Sequence, residues 1–232
     1  MNDTRWHLFT IAGHPVYMTP SFLLIMAVFV FSGVRTSADL LPALMWAPVL
    51  FFGILWHELG HATASKAFGY GRSTILFWGL GGLAINAFQG RRTPLKSLGV
   101  SLAGPAASLI LALASGGALM AYTGGFAAQD LLGEFLRLSM VANLFWAVFN
   151  MLPIYPMDGG QAVMHGVEAV TTSPRKAAVI TGYLGIVAIL VTVLGAKLLG
   201  WGVGVFTLLM ATYFGYLNWK LTQTGRPQRW AV

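Results

Sequence analysis

His57-Glu58-Leu59-Gly60-His61 sets two imidazoles four residues apart with a carboxylate next to the first. In an α-helix residues i and i+4 share a face, so His57 and His61 can turn toward one metal ion while Glu58 stands alongside. Glu58 then reads as a general base, not a ligand. A zinc ion held by two His and one carboxylate keeps a position for water and lowers that water's pKa to about 7. That is the chemistry of peptide hydrolysis. With 5 His and three Glu in 232 residues, a shuffled chain shows this pattern about once in a thousand, so chance explains it poorly. The plainer alternative is a pair of structural histidines between helices, but a carboxylate and two imidazoles in an apolar stretch are costly and functional by default.

The stretch around the motif is long enough to cross a bilayer. Apolar residues make up 56% of the chain, charged residues 9%, and the mean hydropathy is +0.71; soluble domains carry about a quarter charged residues. An integral membrane protein follows. Segments of about 20 residues, the length a spanning helix needs, fall at roughly 20–34, 44–67, 97–122, 134–152, 177–196 and 200–220. The expected fold is therefore all-α and polytopic, with about six transmembrane helices.

Alternate crossing puts Arg5, Lys66, Arg72, Arg91, Arg92, Lys96, Arg175, Lys176, Lys220, Arg226 and Arg229 on one side and only Arg35, Arg137 and Lys197 on the other. The richer side is cytosolic by the positive-inside rule, which places both termini in the cytosol. The net charge of +7 is thus explained by helix-end anchors at the headgroups, without nucleic acid. The first 19 residues, with Pro15 and Pro20 close by, are mixed and turn-rich and lack the order of a secretory signal peptide. The chain has no cysteine, which excludes disulfides, thiolate ligands and a cysteine nucleophile.

Loops are short, no polar stretch is long enough for an appended soluble domain, and residues 1–232 read as one membrane-embedded domain. Residues 72–88 differ in texture: two β-leaning runs around Gly79-Leu80-Gly81-Gly82 predict a hairpin after the second span. At membrane depth such backbone must be buried in protein or line a wet cavity. Ser101-Leu102-Ala103-Gly104-Pro105-Ala106-Ala107-Ser108 opens the third span with small residues and a proline; a packing seam with a kink explains it better than direct chemistry.

Seven acids leave few candidates for a third ligand. Asp3, Asp39, Asp130 and Glu134 fall in terminal or loop regions. Asp158 follows two prolines, Pro153 and Pro156, and precedes Gly159 and Gly160, a broken helix of the kind in which membrane ion sites are built. His165 would share its face on a helix starting near Met157 and competes for the role, with Asp158 preferred. The plainer assignment for His165 and Glu168 is an interfacial pair near the headgroups. His7 and His14 lack partner spacing and receive no chemistry.

Together, His57-Glu58-Leu59-Gly60-His61, Gly104-Pro105 and Asn150-x-x-Pro153-x-x-x-x-Asp158-Gly159 resemble the signature set of the site-2 protease family of intramembrane zinc metalloproteases, over residues 50–165. The resemblance implies His57, His61 and Asp158 as ligands of one Zn(2+) per chain, Glu58 as acid/base, and Asn150 as a second catalytic residue stabilising the reacting carbonyl. It implies an edge strand within the 72–88 hairpin as the substrate-binding element for a single-span transmembrane protein in the bilayer. It further implies release of a cytosolic regulatory fragment. The family often has Asn three residues after Gly104-Pro105, where this chain has Ser108, which weakens any expectation of polar contacts from the third span. No PDZ or CBS domain is expected.

Other chemistries fit less well. A serine protease would need a Gly-x-Ser-x-Gly or Gly-x-Ser-Gly turn and an aspartyl protease two intramembrane Asp, and neither is found. A metal transporter would space polar groups along a pore, often in repeated halves, and would leave Glu58 without a role; a non-catalytic scaffold would not need Glu58 either.

Overall fold

The computed structural model describes residues 4–79, 81–86, 92–128, 130–200 and 202–227. Asp3, Leu80, Ala87, Phe88, Arg91 and Arg229, all weighed above, lie outside them. Two compact units are formed, Met1–Arg91 with Ala103–Ala147, and Arg92–Leu102 with Val148–Val232.

The first unit opens with two strands that the sequence conceals, β1 (Trp6–Ile11) and β2 (His14–Met18), paired antiparallel. Ala12 and Gly13 join them with φ of 51° and 83°, the doubly positive backbone of a two-residue hairpin turn. α1 (Pro20–Phe31), a 3-10 turn at Ser37–Asp39 and α2 (Leu40–Ala67) follow, then β3 (Ser73–Trp78) and β4 (Gly81–Asn86). The predicted hairpin is β3–β4, but it belongs to a four-stranded sheet in the order β1-β2-β3-β4. β2 and β3 are parallel, and α1 with α2 supplies the long crossover that a parallel pair requires.

The inner sheet residues Val16, Met18, Ile75 and Phe77 pack with Phe22 of α1 and Ile54, Leu55 and Ala62 of α2. Phe77 sits 4.9 Å from both the Phe22 and Phe51 rings. The sheet is thereby fastened along the half of α2 that carries the HExxH sequence. Residues Ala103–Thr123 of α3 (Pro94–Thr123) and most of α4 (Leu131–Asn150) complete this unit. α2 and α3 cross on small residues: a Cβ added at Gly60 would sit 2.5 Å from the Ala103 carbonyl oxygen and 2.8 Å from Ala107 Cβ.

The second unit holds α5 (Asp158–Thr171), α6 (Pro174–Leu198) and α7 (Val205–Thr224). α5 starts after Met157, the start required for Asp158 and His165 to share a face. Ser173 caps α6, accepting the Lys176 N–H, with Pro174 at the first helical position. α6 turns Ala177, Ala178, Thr181, Gly182 and Gly185 inward and exposes Leu184, Val187, Leu190, Val191 and Leu194. Small and polar inside, apolar outside, is the pattern of a helix whose solvent is lipid.

Among the described residues four helices are long and apolar enough to span a membrane: Ser37–Ala67, Pro94–Thr123, Leu131–Asn150 and Pro174–Leu198. The expected six are not all of that kind. α1 has 12 residues, about 18 Å of helix against a hydrocarbon core of about 30 Å. α7 has 20 residues, but Asn218, Lys220, Thr222 and Gln223 crowd its last two turns.

The α2–α3 crossing yields a test. Gly60→Val should lower stability by about 1–3 kcal/mol through overpacking against backbone, whereas Gly117→Val, with nothing within 4 Å of its added Cβ, should be near neutral. Thermal unfolding of both variants in detergent measures the difference.

Candidate active site

His57, Glu58 and His61 are all buried on α2. The helical spacing brings the imidazoles together as expected: their Nε2 atoms are 3.2 Å apart and their rings meet edge to face, with centroids at 4.9 Å. His57 Nδ1 lies 2.9 Å from the Ser108 hydroxyl oxygen. With Nδ1–H donated to that oxygen, the Nε2 lone pair of His57 is directed toward His61 Nε2. Trp146 of α4 covers the other side of the His57 ring, edge to face at 6.4 Å.

Space for this arrangement comes from α3. A Cβ on Gly104 would overlap His61 Nε2 and lie 2.7 Å from His57 Nε2, so the backbone of α3 passes directly beside both nitrogens and any larger residue would fill their cradle. Two converging imidazole nitrogens, one oriented by a hydroxyl, in a cradle free of side-chain carbon, fit a metal ion of the borderline-soft class that includes zinc. The 101–108 segment is therefore more than a packing seam. Ser108, discounted from sequence because Asn is usual nearby, makes the polar contact that was not expected; its only sequence signal is its position one helical turn after Gly104.

Glu58 faces the sheet. A Cβ on Gly82 of β4 would lie 2.5 Å from Glu58 Cγ and 2.6 Å from its Oε1, so the carboxylate rests against β4 backbone. Gly81, at φ 129°, is a conformation only glycine adopts readily, and its open face admits the Trp146 ring at 3.3 Å from a built Cβ. The hairpin and the HExxH helix are thus in contact within the first unit.

Asp158 and Asn150 belong to the second unit. Asp158 is buried as the first residue of α5, and Asn150 is half-buried as the last residue of α4. Close approach again depends on glycine: a Cβ on Gly159 would overlap the Met151 carbonyl oxygen, and one on Gly160 would lie 2.5 Å from Tyr155 N. His165 is buried, with Arg92 Nη2 3.4 Å from both ring nitrogens and Glu168 Oε2 3.6 Å from Nδ1. A guanidinium against both nitrogens disfavours a second cation there. Burial, reinforced by Arg92 and opposed by Glu168, pushes the His165 imidazole down to about 4 from its ordinary 6.5.

The two remaining histidines lie in the β1–β2 hairpin. His7 is exposed, and His14 is fully buried with Nδ1 3.0 Å from the Ser73 carbonyl, tying β2 to β3.

Comparison with known proteins finds zinc metalloproteases among those similar to this chain. The sequence model of peptidase family M50 matches residues 115–194. A provisionally named zinc metalloprotease of Synechocystis is 31% identical over 185 residues, 75% of this chain and 47% of the relative. A zinc metalloprotease of Methanocaldococcus jannaschii is 28% identical over 158 residues, 66% of this chain and 43% of the relative. The chain thus spans less than half the length of these two relatives. Among solved structures, the site-2 protease of Methanocaldococcus jannaschii superposes with a TM-score of 0.63 at 22% identity, covering 97% of this chain and 99% of that one. The fold is that of a site-2 protease, and the resemblance to the site-2 protease family of zinc metalloproteases holds in both sequence and structure.

The buried His165 predicts a pH dependence. Unfolded, its imidazole takes up a proton near pH 6.5; folded, near 4. Between those values the unfolded chain binds more protons, so stability falls as pH drops through that window. His165→Gln should flatten the slope of thermal midpoint against pH between 6.5 and 4.

Proposed function

We propose that this chain is an intramembrane zinc metalloprotease that hydrolyses a peptide bond in or near the transmembrane segment of a single-span membrane protein. The observation that carries the proposal is the pair of buried imidazole nitrogens 3.2 Å apart, one residue from a buried carboxylate, on a helix apolar enough to span a membrane. His57, His61 and Asp158 are the proposed ligands. They are the set of His, Asp and Glu side chains among the described residues able to hold one metal ion, and zinc is the metal of the named relatives.

Zinc, when bound, supplies a Lewis acid for the scissile carbonyl and for water. Glu58 takes the proton of the attacking water and passes it to the leaving amine, from a position that gives it no role as a ligand. Asn150 donates a hydrogen bond to the developing oxyanion. An intact substrate helix hides its carbonyls in hydrogen bonds, so the substrate must unwind locally. The unwound stretch adds as a strand to the β4 edge, which satisfies backbone groups that lipid cannot; contact between Glu58 and Gly82 supports an edge beside the catalytic carboxylate. Release of a cytosolic regulatory fragment is the corresponding biological outcome.

Charge supports crossing by α1 and α7 as well as by the four long helices. Counting four crossings alone, seven Lys and Arg fall on each side: Lys66, Arg72, Arg91, Arg92, Lys96, Arg175 and Lys176 against Arg5, Arg35, Arg137, Lys197, Lys220, Arg226 and Arg229. Six crossings restore the strong asymmetry that membrane insertion uses, with both termini and the Lys66 end of α2 in the cytosol.

Two substitutions test the chemistry. Glu58→Gln should retain one zinc per chain and lower cleavage of a single-span substrate at least 10²-fold, in the range general base catalysis contributes; cleavage at the wild-type rate in purified protein would contradict the role. Asp158→Ala should bind zinc much more weakly and purify with less than one zinc per chain in metal analysis, and full stoichiometry would move the third ligand elsewhere.

A further inference from the structure

The segment between α4 and α5 is neither helix nor strand, and in a membrane protein its backbone groups need partners from within the protein. At Tyr155 one side chain serves both groups. The Tyr155 N–H donates to Asn218 Oδ1 at 3.2 Å, and Asn218 Nδ2 donates to the Tyr155 carbonyl at 2.7 Å. The same Nδ2 reaches the Phe214 carbonyl of its own helix at 2.8 Å. Asn218 is fully buried on α7, and its amide pairs with the Tyr155 backbone as a neighbouring strand would.

The slot for this amide is made by α6. A Cβ at Gly185 would overlap Asn218 Oδ1, and one at Gly182 would lie 2.7 Å from the Asn218 carbonyl oxygen. On its other side Tyr155 is the floor of the first turn of α5. A Cβ at Gly160 would lie 2.5 Å from both Tyr155 N and the Ile154 carbonyl carbon; the Met157 N–H donates to the Ile154 carbonyl at 2.8 Å, and Gln161 Nε2 to the Pro156 carbonyl at 3.0 Å. Displacing Tyr155 therefore displaces the turn that begins with Asp158.

We infer that Asn218 is a positioning residue for Asp158: it clamps the backbone three residues upstream and thereby fixes where that carboxylate is presented. The inference rests on the proposed role of Asp158 as a zinc ligand. Asn218 touches neither metal nor substrate and acts only through the loop.

Zinc affinity by chelator competition on the full chain in detergent tests it, comparing wild type, Asn218→Ala, Asp158→Ala, the double variant and Gly185→Ala. Asn218→Ala should weaken zinc about 10–100-fold, the range for groups that orient ligands, with helical content by circular dichroism unchanged. In the Asp158→Ala background the same substitution should add less than about twofold, because effects exerted through one residue are not additive. Gly185→Ala, which intrudes on the amide from α6, should weaken zinc in the same direction and carries the test, in the same cycle, if Asn218→Ala does not fold. Wild-type affinity in Asn218→Ala, or an undiminished further loss in the Asp158→Ala background, overturns the positioning role while leaving the ligand assignment intact. Wild-type affinity in Asp158→Ala overturns the ligand assignment and the inference with it.

Discussion

The passage of the α3 backbone beside two imidazoles of α2 is the constraint on which the first unit depends. Lipid cannot solvate a pair of histidines, so they need a neighbour that comes close without filling the space between them. Gly104 provides the space and Gly60 lets the helices approach far enough to use it. Ser108 then lies one turn along, on the same face of α3, where its hydroxyl reaches His57 Nδ1. Substituting either glycine would separate helices whose closeness makes Ser108 useful, so packing and ligand orientation are one property of this crossing.

The sheet depends on the same helix from the other side. α2 gives Ile54, Leu55 and Ala62 to the apolar contact with β2 and β3, and that contact brings β4 to Glu58. In the second unit the equivalent problem, a carboxylate at the start of a helix, is solved with backbone: glycines at 159 and 160 let α5 sit on its own preceding loop, and Asn218 pairs with that loop. Each unit therefore presents its polar groups from places where a side chain has been left out.

Much of this was legible in the sequence because the strongest signals are local. The HExxH spacing carries its own geometry, long apolar runs mark helices, and β3–β4 announce themselves by a glycine turn between β-leaning runs. β1 and β2 were hidden because their turn is Ala12-Gly13, not Asn-Gly, and because Pro15 sits in a strand flanked on both sides, where proline is unexpected. α1 read as longer than its 12 residues because the apolar composition continues past the helix end. Ser108, His14 and Asn218 could not be read at all: each acts on a residue more than 50 positions away, and one sequence does not reveal which distant backbone a buried polar side chain meets. His165, which competed with Asp158 for the third-ligand role in the sequence, is buried against Arg92, a neighbour 73 positions away that the sequence does not reveal.

In the proposed site two imidazoles and one carboxylate hold a single zinc ion. Zinc K-edge X-ray absorption on the purified chain tests it most directly. One zinc per chain is expected, with two imidazole nitrogens at about 2.0–2.1 Å and oxygen ligands at about 2.0–2.2 Å. A shell with a single imidazole, with three, or with oxygen alone would contradict it.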